Sequence, residues 1–215
     1  MCEMISFIYK YEDSKIDIKV YDLMSHSDTQ KYYPELTENL GWYEGHYTTK
    51  KIECRIPQGR NEDAEKQLKY DYPTFIDFVK YCLKQEISGD LDLGDCDLTG
   101  IELPKEISGF LNLRNCKNLT GIELPEKIGG NLNLSYCKNL TGIELPKEIN
   151  GYLDLSNCDL TGIELPEKIG NSLYLSNCDL TGIKLPKEIG GGLYLRGCDL
   201  TNIDIPENLK DKVIK

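Results

Sequence analysis

The second half of the chain consists of one short segment that is repeated six times. Each copy contains a Leu-x-Leu pair and, three residues later, a cysteine. The spacing between copies varies by a single residue, and that extra residue always falls where "CKNL" replaces "CDL". A repeat with a period of about 20 residues cannot bury its own apolar face, so the copies must stack on one another to form a continuous core. The repeat therefore predicts a solenoid over residues 87–206.

The Leu-x-Leu pair predicts a short strand in each coil, because side chains two residues apart point to the same side of a strand. Both leucines should face the core, and the small cysteine should follow at a corner, where stacked thiols can donate weak hydrogen bonds to the backbone. The chain has nine cysteines, an odd number, which favours a structural ladder of free thiols over disulfides. The ladder would contain Cys96, Cys116, Cys137, Cys158, Cys178 and Cys198.

The two charged residues after each proline alternate from copy to copy, as Lys-Glu and then Glu-Lys. Equivalent residues of neighbouring coils in a parallel stack lie about 4.8 Å apart, so each charge would face its opposite above and below. Without the alternation, like charges would be directly opposed, which is unfavourable. We predict that the alternation fixes the register of the coils. The two columns are Lys105, Glu126, Lys147, Glu167 and Lys187, and Glu106, Lys127, Glu148, Lys168 and Glu188.

The motif "LxLxxCxL" followed by "LTGIELP" resembles the leucine-rich repeat, in the short proline-bearing form of bacterial effector-type proteins and of phage or bacterial reading frames. The resemblance covers residues 87–206, more than half of the chain. It implies a right-handed solenoid with a six-stranded parallel sheet. The segment "CDLTG" also matches the pentapeptide repeat, so a pentapeptide-like right-handed β-helix is the alternative fold.

The resemblance also implies a function, because solenoid faces commonly serve as extended binding surfaces. We expect a non-enzymatic interaction module that binds a protein partner through the exposed strand face. For phage-type relatives the partner would be a host factor, such as one of defence. Tyrosine and arginine are favoured binding anchors; the alternative is a solvated polar sheet or a structural spacer. The predicted partner-binding residues are Asp92, Asn112, Asn133, Asp154, Tyr152, Tyr174, Tyr194 and Arg196.

Residues 1–86 are predicted to form a small α+β domain that also caps the first coil. Alternating segments predict a hairpin over residues 4–22 and two further strands in "WYEGHYTT" and "KIECRI". Ser27 and Gln30 have the spacing of a capping box, which predicts a short helix. Pro73 is expected to begin an apolar helix, and residues 207–215 are expected to cap the other end of the solenoid.

The same N-terminal segment contains the only candidates for catalysis. Cys2 is a candidate nucleophile and His26 or His46 a candidate base, with Glu44 or Asp28 as an orienting carboxylate. The rival hypothesis is therefore a small hydrolase or transferase whose repeats recruit the substrate. The start "MC" together with "SHS" and "EGHY" resembles an uncharacterised domain that precedes such repeats in phage-type proteins, which implies no activity.

The composition limits the remaining classes of partner. The net charge is −11 and both halves are acidic, which argues against nucleic acid and anionic membranes. We expect no membrane span and a cytoplasmic protein, since the opening lacks the pattern of a secretory signal. No cofactor or metal is expected: the acidic cluster at residues 90–97 lacks a calcium loop, and no zinc-ligand spacing occurs. The oligomeric state does not follow from the sequence.

Overall fold

The computed structural model describes residues 4–12, 15–19, 43–48, 52–56, 59–84, 90–201 and 203–215. The chain divides into two compact units between Asp90 and Leu91. No helix within the described ranges is long and apolar enough to cross a membrane. The predicted cap of residues 1–86 on the first coil stays a prediction.

The first unit contains an antiparallel sheet of five strands in the order β2-β1-β3-β4-β5. The predicted hairpin is present, because Glu12 at the end of the first strand pairs with Lys15 at the start of the second. The two further strands of the prediction are present as well. The bounds are β1 Met4–Glu12, β2 Lys15–Lys19, β3 Tyr43–Thr48, β4 Ile52–Ile56 and β5 Gly59–Arg60.

Two helices follow the sheet. The helix α1 covers Glu62–Asp71 and was not foreseen from the sequence, although Asn61 caps it by accepting the Ala64 N–H at 3.1 Å. The helix α2 covers Phe75–Leu83 and begins just after the predicted Pro73, where Thr74 and Asp77 form a reciprocal capping box. The predicted helix at Ser27 lies outside the described residues.

The second unit is a parallel solenoid, as the repeat predicts. Its main sheet has seven strands in the order β17-β16-β14-β12-β10-β8-β6, and all the pairs are parallel. We number the coils one to six from the strand that begins each of them. The bounds are β6 Leu91–Asp92, β8 Leu111–Asn112, β10 Leu132–Asn133, β12 Leu153–Asp154, β14 Leu173–Tyr174, β16 Leu193–Tyr194 and β17 Val213–Ile214.

The prediction of six strands was wrong by one, because the chain returns to the sheet after the sixth coil. A 3₁₀ helix at Glu207–Lys212 buries Leu209, and Val213–Ile214 then pairs with the strand of coil six. Val213 follows Leu193 at the same spacing by which Leu193 follows Leu173, so the repeat period places it in the sheet. The segment at the C-terminal side of the stack therefore covers the last coil with a helical turn and also extends the sheet.

The core contains the Leu-x-Leu side chains of every coil, and all twelve leucines are at most 2% exposed. The cysteine of each coil begins the next side of the coil. The thiols of coils two to six each donate to the carbonyl of the second leucine in the preceding coil, as Cys158 does to Leu134 at 3.0 Å. The seven cysteines whose side chains the structure describes are free. The predicted thiol ladder is therefore confirmed.

The residue before each ladder cysteine closes a tight turn in the left-handed region of backbone space. The N–H of Cys96, for example, donates to the Leu93 carbonyl at 3.2 Å, and Asp95 between them has φ of 60°. Asparagine, aspartate and glycine tolerate this conformation best, and they occupy the position in five of the six coils. The set is Asp95, Asn115, Tyr136, Asn157, Asn177 and Gly197.

The alternating charges lie on short strands at the opposite side of each coil. These strands are β7 Glu106–Ile107, β9 Lys127–Ile128, β11 Glu148–Ile149, β13 Lys168–Ile169 and β15 Glu188–Ile189. Opposite charges stand in register in three strand pairs, and Nζ–Oε distances are 2.8 Å for Lys127–Glu106, 3.9 Å for Lys168–Glu188 and 3.0 Å for Lys187–Glu167. The predicted pairing of opposite charges is confirmed within these pairs.

The columns are not continuous, however, which corrects the prediction of an uninterrupted stack. The strands β7 and β9 form one small sheet, and β11, β13 and β15 form another, so that coils two and three are unpaired on this side. The strand of coil three therefore lacks its expected partner in coil two.

This geometry predicts the effect of reversing one pair of charges. The double change Glu167→Lys with Lys168→Glu keeps the composition but opposes like charges to coils three and five. We expect the free energy of unfolding to fall by about 0.5–2 kcal/mol at low salt, measured by urea denaturation. The loss should shrink in 1 M salt, where screening acts within about 3 Å.

The same reversal at the break provides the matched control. The double change Lys147→Glu with Glu148→Lys places like charges opposite coil four only, because β11 pairs with β13 and not with β9. Its loss should be smaller than that of the variant at residues 167 and 168. Equal losses in the two variants, or losses that salt leaves unchanged, would show that the charges do not stack as described.

Candidate partner-binding face

Three tyrosines form a continuous aromatic row on the exposed side of the seven-stranded sheet. The Tyr152 and Tyr174 rings meet edge to face with their centroids 5.8 Å apart, and the Tyr174 and Tyr194 rings stack at 4.3 Å with 13° between their planes. The row continues with Ile214, which stands opposite Tyr194 in the neighbouring strand and is 44% exposed. We call these four residues the aromatic row.

The backbone beside the aromatic row leaves room for it. A Cβ added at Gly192 would lie 2.8 Å from Cδ1 of Ile214 and 2.9 Å from Cε2 of Tyr194, so that a larger residue would have to displace both side chains. The glycine therefore lets Tyr194 and Ile214 pack closely over the strand. Ile214 was not among the predicted binding residues, and the repeat period that places Val213 in the sheet could have revealed it.

A raised pKa keeps the hydroxyls of Tyr152 and Tyr174 neutral over the ordinary range of pH. Partial burial is the main cause that raises the pKa of Tyr174, and the neighbouring Tyr194 adds to the rise. Burial, followed by the nearby Asp154 carboxylate, raises the pKa of Tyr152. A neutral phenol can donate a hydrogen bond and still present an apolar ring, which is the combination found at protein interfaces.

Beside the aromatic row, the exposed side of the sheet carries four polar residues whose side chains form hydrogen bonds within their own turns. The side-chain oxygens of Asp92, Asn112, Asn133 and Asp154 each accept the backbone N–H two residues later, at 2.9–3.1 Å. Asn112 also donates to Asp92 at 2.9 Å across the coils. These four residues were predicted to bind a partner, which stays a prediction; the structure shows that they hold the turns in place.

The face is therefore divided into two halves. In coils one to four the central column closes turns with its own polar atoms, and in coils five and six tyrosines replace that polar column. Arg196, the last predicted binding residue, is exposed at the end of the aromatic half. The structure thus brings three predicted tyrosines together and places Asp92, Asn112 and Asn133 farther along the sheet.

A cation–π pair of Arg114 and Tyr136 lies at the edge of the face, and the sequence analysis did not predict it. The guanidinium of Arg114 lies 5.0 Å from the ring centre of Tyr136, within the range of a cation–π contact. Tyr136 is 46% exposed and has φ of 63°. It is the tyrosine in a column of aspartate, asparagine and glycine, and that departure from the repeat is the signal that could have revealed it.

Most of the alternative catalytic residues lie outside the described part of the structure, so their predicted arrangement stays a prediction. Glu44 and His46 lie in β3, whereas Cys2, His26 and Asp28 lie outside the described residues. Cys82 is buried, and burial raises its pKa, which disfavours the reactive thiolate. Among the described residues, no three histidine, cysteine or acidic side chains lie close enough to hold a metal ion together.

Comparison with known families now adds to the geometry. The family model described as the BspA type leucine-rich repeat region matches six copies, over residues 93–181 and 113–211. The chain belongs to this leucine-rich-repeat family. The match decides between the two folds that the sequence left open, in favour of the leucine-rich repeat. Neither a search of curated proteins nor one of solved structures found a match.

The left-handed backbone conformation of Tyr136 leads to a testable prediction about stability. A side chain other than glycine, asparagine or aspartate costs about 1 kcal/mol in the left-handed region, and the contact with Arg114 recovers part of it. We therefore expect Tyr136→Asn to raise the free energy of unfolding by about 0.5–1 kcal/mol in urea denaturation.

The reverse change in the next coil is the control. Asn157→Tyr should lower the free energy of unfolding, because it introduces the unfavourable conformation and removes the oxygen that accepts from Asn177 at 3.1 Å. If Tyr136→Asn is instead destabilising, the ring of Tyr136 contributes more through its contacts than its backbone conformation costs.

Proposed function

We propose that this leucine-rich-repeat protein is a non-enzymatic interaction module that binds a protein partner through its strand face, with the aromatic row as the anchor. Leucine-rich repeats generally mediate protein–protein interaction. The observation that carries the proposal is the stacked row of Tyr152, Tyr174 and Tyr194 on the exposed side of the sheet.

The division of the face supports the choice of anchor. Residues that contribute most to binding are typically aromatic or arginine side chains surrounded by polar contacts. The aromatic row has that composition, and Arg196 lies beside it. The four polar residues of the other half already satisfy turn N–H groups, so a partner gains less from them. We assign Asp92, Asn112, Asn133 and Asp154 to the surrounding contacts rather than to the anchor.

The nature of the partner is a further part of the proposal. The resemblance to phage-type proteins supports a host factor, such as one of defence, and a cytoplasmic setting. The acidic charge of the chain supports a protein rather than a nucleic acid or an anionic membrane surface as the partner. The free cysteine ladder is in keeping with a reducing compartment.

Removing two rings from the aromatic row tests the proposal. Tyr174→Ala with Tyr194→Ala should abolish capture of the partner from a lysate of the native host, because each anchor contributes about 2 kcal/mol or more. The stability cost should be about 1–3 kcal/mol, because the variant removes two aromatic pairs, each of which contributes about 0.5–1.5 kcal/mol. Capture is measured by affinity purification and mass spectrometry, and stability by urea denaturation.

Two sets of controls distinguish the binder from the enzyme. Tyr70→Ala removes a tyrosine that is 81% exposed in α1 and should leave capture intact. Cys2→Ala and His46→Ala should also leave capture and biological effect unchanged. If the double tyrosine variant keeps full function while His46→Ala loses it, the activity lies in residues 1–86 and the proposal is wrong.

A further inference from the structure

One junction of the solenoid differs from all its neighbours on the side of the alternating charges. Each coil there carries a residue directly after its short strand, and in coils two, four and five that residue is glycine. The backbone N–H of each glycine donates to the isoleucine carbonyl of the preceding coil: Gly129 to Ile107 at 2.9 Å, Gly170 to Ile149 at 2.8 Å and Gly190 to Ile169 at 2.9 Å.

These glycines are required by the close approach of the coils. A Cβ added at Gly129 would overlap the carbonyl oxygen of Ser108 in the coil below. The same overlap would occur between Gly170 and Asn150, and between Gly190 and Gly170. A residue with a side chain at this position therefore cannot reach the paired geometry unless the coils separate.

Coil three has Asn150 at this position. Within the described coils, the Asn150 N–H does not form the expected hydrogen bond to the carbonyl of Ile128 in the preceding coil. The strands β9 and β11 are likewise not paired. A cleft of about 1090 Å³ lies along this side and extends over coils one to three, and its lining includes Ile107, Ile128, Glu148 and Asn150. The Cβ of Asn150 explains the missing pairing between β9 and β11, because a Cβ at the equivalent glycines would overlap the backbone carbonyl of the preceding coil.

The opening is confined to one side of the coil. The Gly151 N–H donates to the Gly130 carbonyl at 2.9 Å, one residue after Asn150. On the strand face, Leu132 pairs in register with both Leu111 and Leu153, so the main sheet runs through this junction without interruption. The coils are thus hydrogen-bonded in register along the strand face, whereas on the charged face their short strands lie beside each other without pairing.

We propose that the junction between coils two and three is a flexible joint that Asn150 creates. Coils one and two bend relative to the later coils about the continuous strand face, and the cleft widens and narrows as they do. Such bending changes the curvature of the strand face within its polar half, between Asn112 and Asn133. The joint is a property of the solenoid itself and does not depend on the proposed partner.

Amide exchange and relaxation measurements on the whole chain test the joint. In the unchanged protein the Asn150 amide should exchange with solvent about tenfold or more faster than the Gly129 and Gly170 amides, because it lacks their hydrogen bond. NMR relaxation dispersion should detect microsecond-to-millisecond motion on both sides of the cleft, at Ile128 and Ile149.

Substitutions at matched positions identify the cause. Asn150→Gly should slow exchange at residue 150 to the level of the other coils and abolish the dispersion. Gly170→Asn should produce a second joint between coils three and four. Asn171→Gly, one position later, should change neither, because the Asn171 N–H already donates to Gly151 at 3.1 Å.

Any of three results would overturn the proposal. An Asn150 amide as protected as that of Gly170 in the unchanged protein would show that the ladder is closed. Dispersion that persists in Asn150→Gly, or its absence in the unchanged protein, would show that Asn150 does not create a moving joint.

Discussion

The in-register hydrogen bonding between successive coils is the constraint on which the rest of the solenoid depends. Each coil is too short to bury its leucines alone, so every coil needs its neighbours on both sides. A shift of one residue would turn the Leu-x-Leu side chains from the core to the solvent. The leucines of six coils are buried because Leu pairs with Leu from coil to coil, as Leu153 does with Leu173.

Several sequence features are explained by that single constraint. The cysteine thiol reaches the leucine carbonyl of the preceding coil because the two lie at a fixed offset, and burial raises the pKa of Cys158 to about 12. The alternating charges meet their opposites for the same reason. The extra residue of the longer coils is accommodated after the cysteine, where Asn118 adopts φ of 58° and leaves the strands in register. Architecture therefore accounts for most of the regular spacing within the repeat.

Sequence reasoning succeeded wherever the repeat itself carried the information. The inward leucines, the thiol ladder and the pairing of opposite charges all follow from counting positions along a parallel stack. The tyrosine row was foreseen for the same reason, since Tyr174 and Tyr194 occupy equivalent positions in adjacent coils. In the first unit the hairpin was foreseen from its alternating residues and its short turn.

The failures have different physical causes. No prediction was made for Asn150, because only the distance between coils shows that a Cβ does not fit at its position. Val213 and Ile214 were expected to cover the last coil, since a two-residue strand carries almost no pattern of its own. The turn-closing role of Asp92 and Asn112 depends on local side-chain geometry that strand periodicity does not describe. The candidate site was therefore predicted in its location but not in the division of its roles.

The central claim is that the coils keep leucine paired with leucine even where one coil is a residue longer than the next, and NMR distances between backbone protons test it most directly. The account predicts nuclear Overhauser contacts between the strands of Leu132 and Leu153, across a longer coil, and between those of Leu153 and Leu173, across a shorter one. Contacts at the shorter offset throughout, which would pair Leu132 with Tyr152, would contradict it. Such a register would turn the leucines of the third coil out of the core.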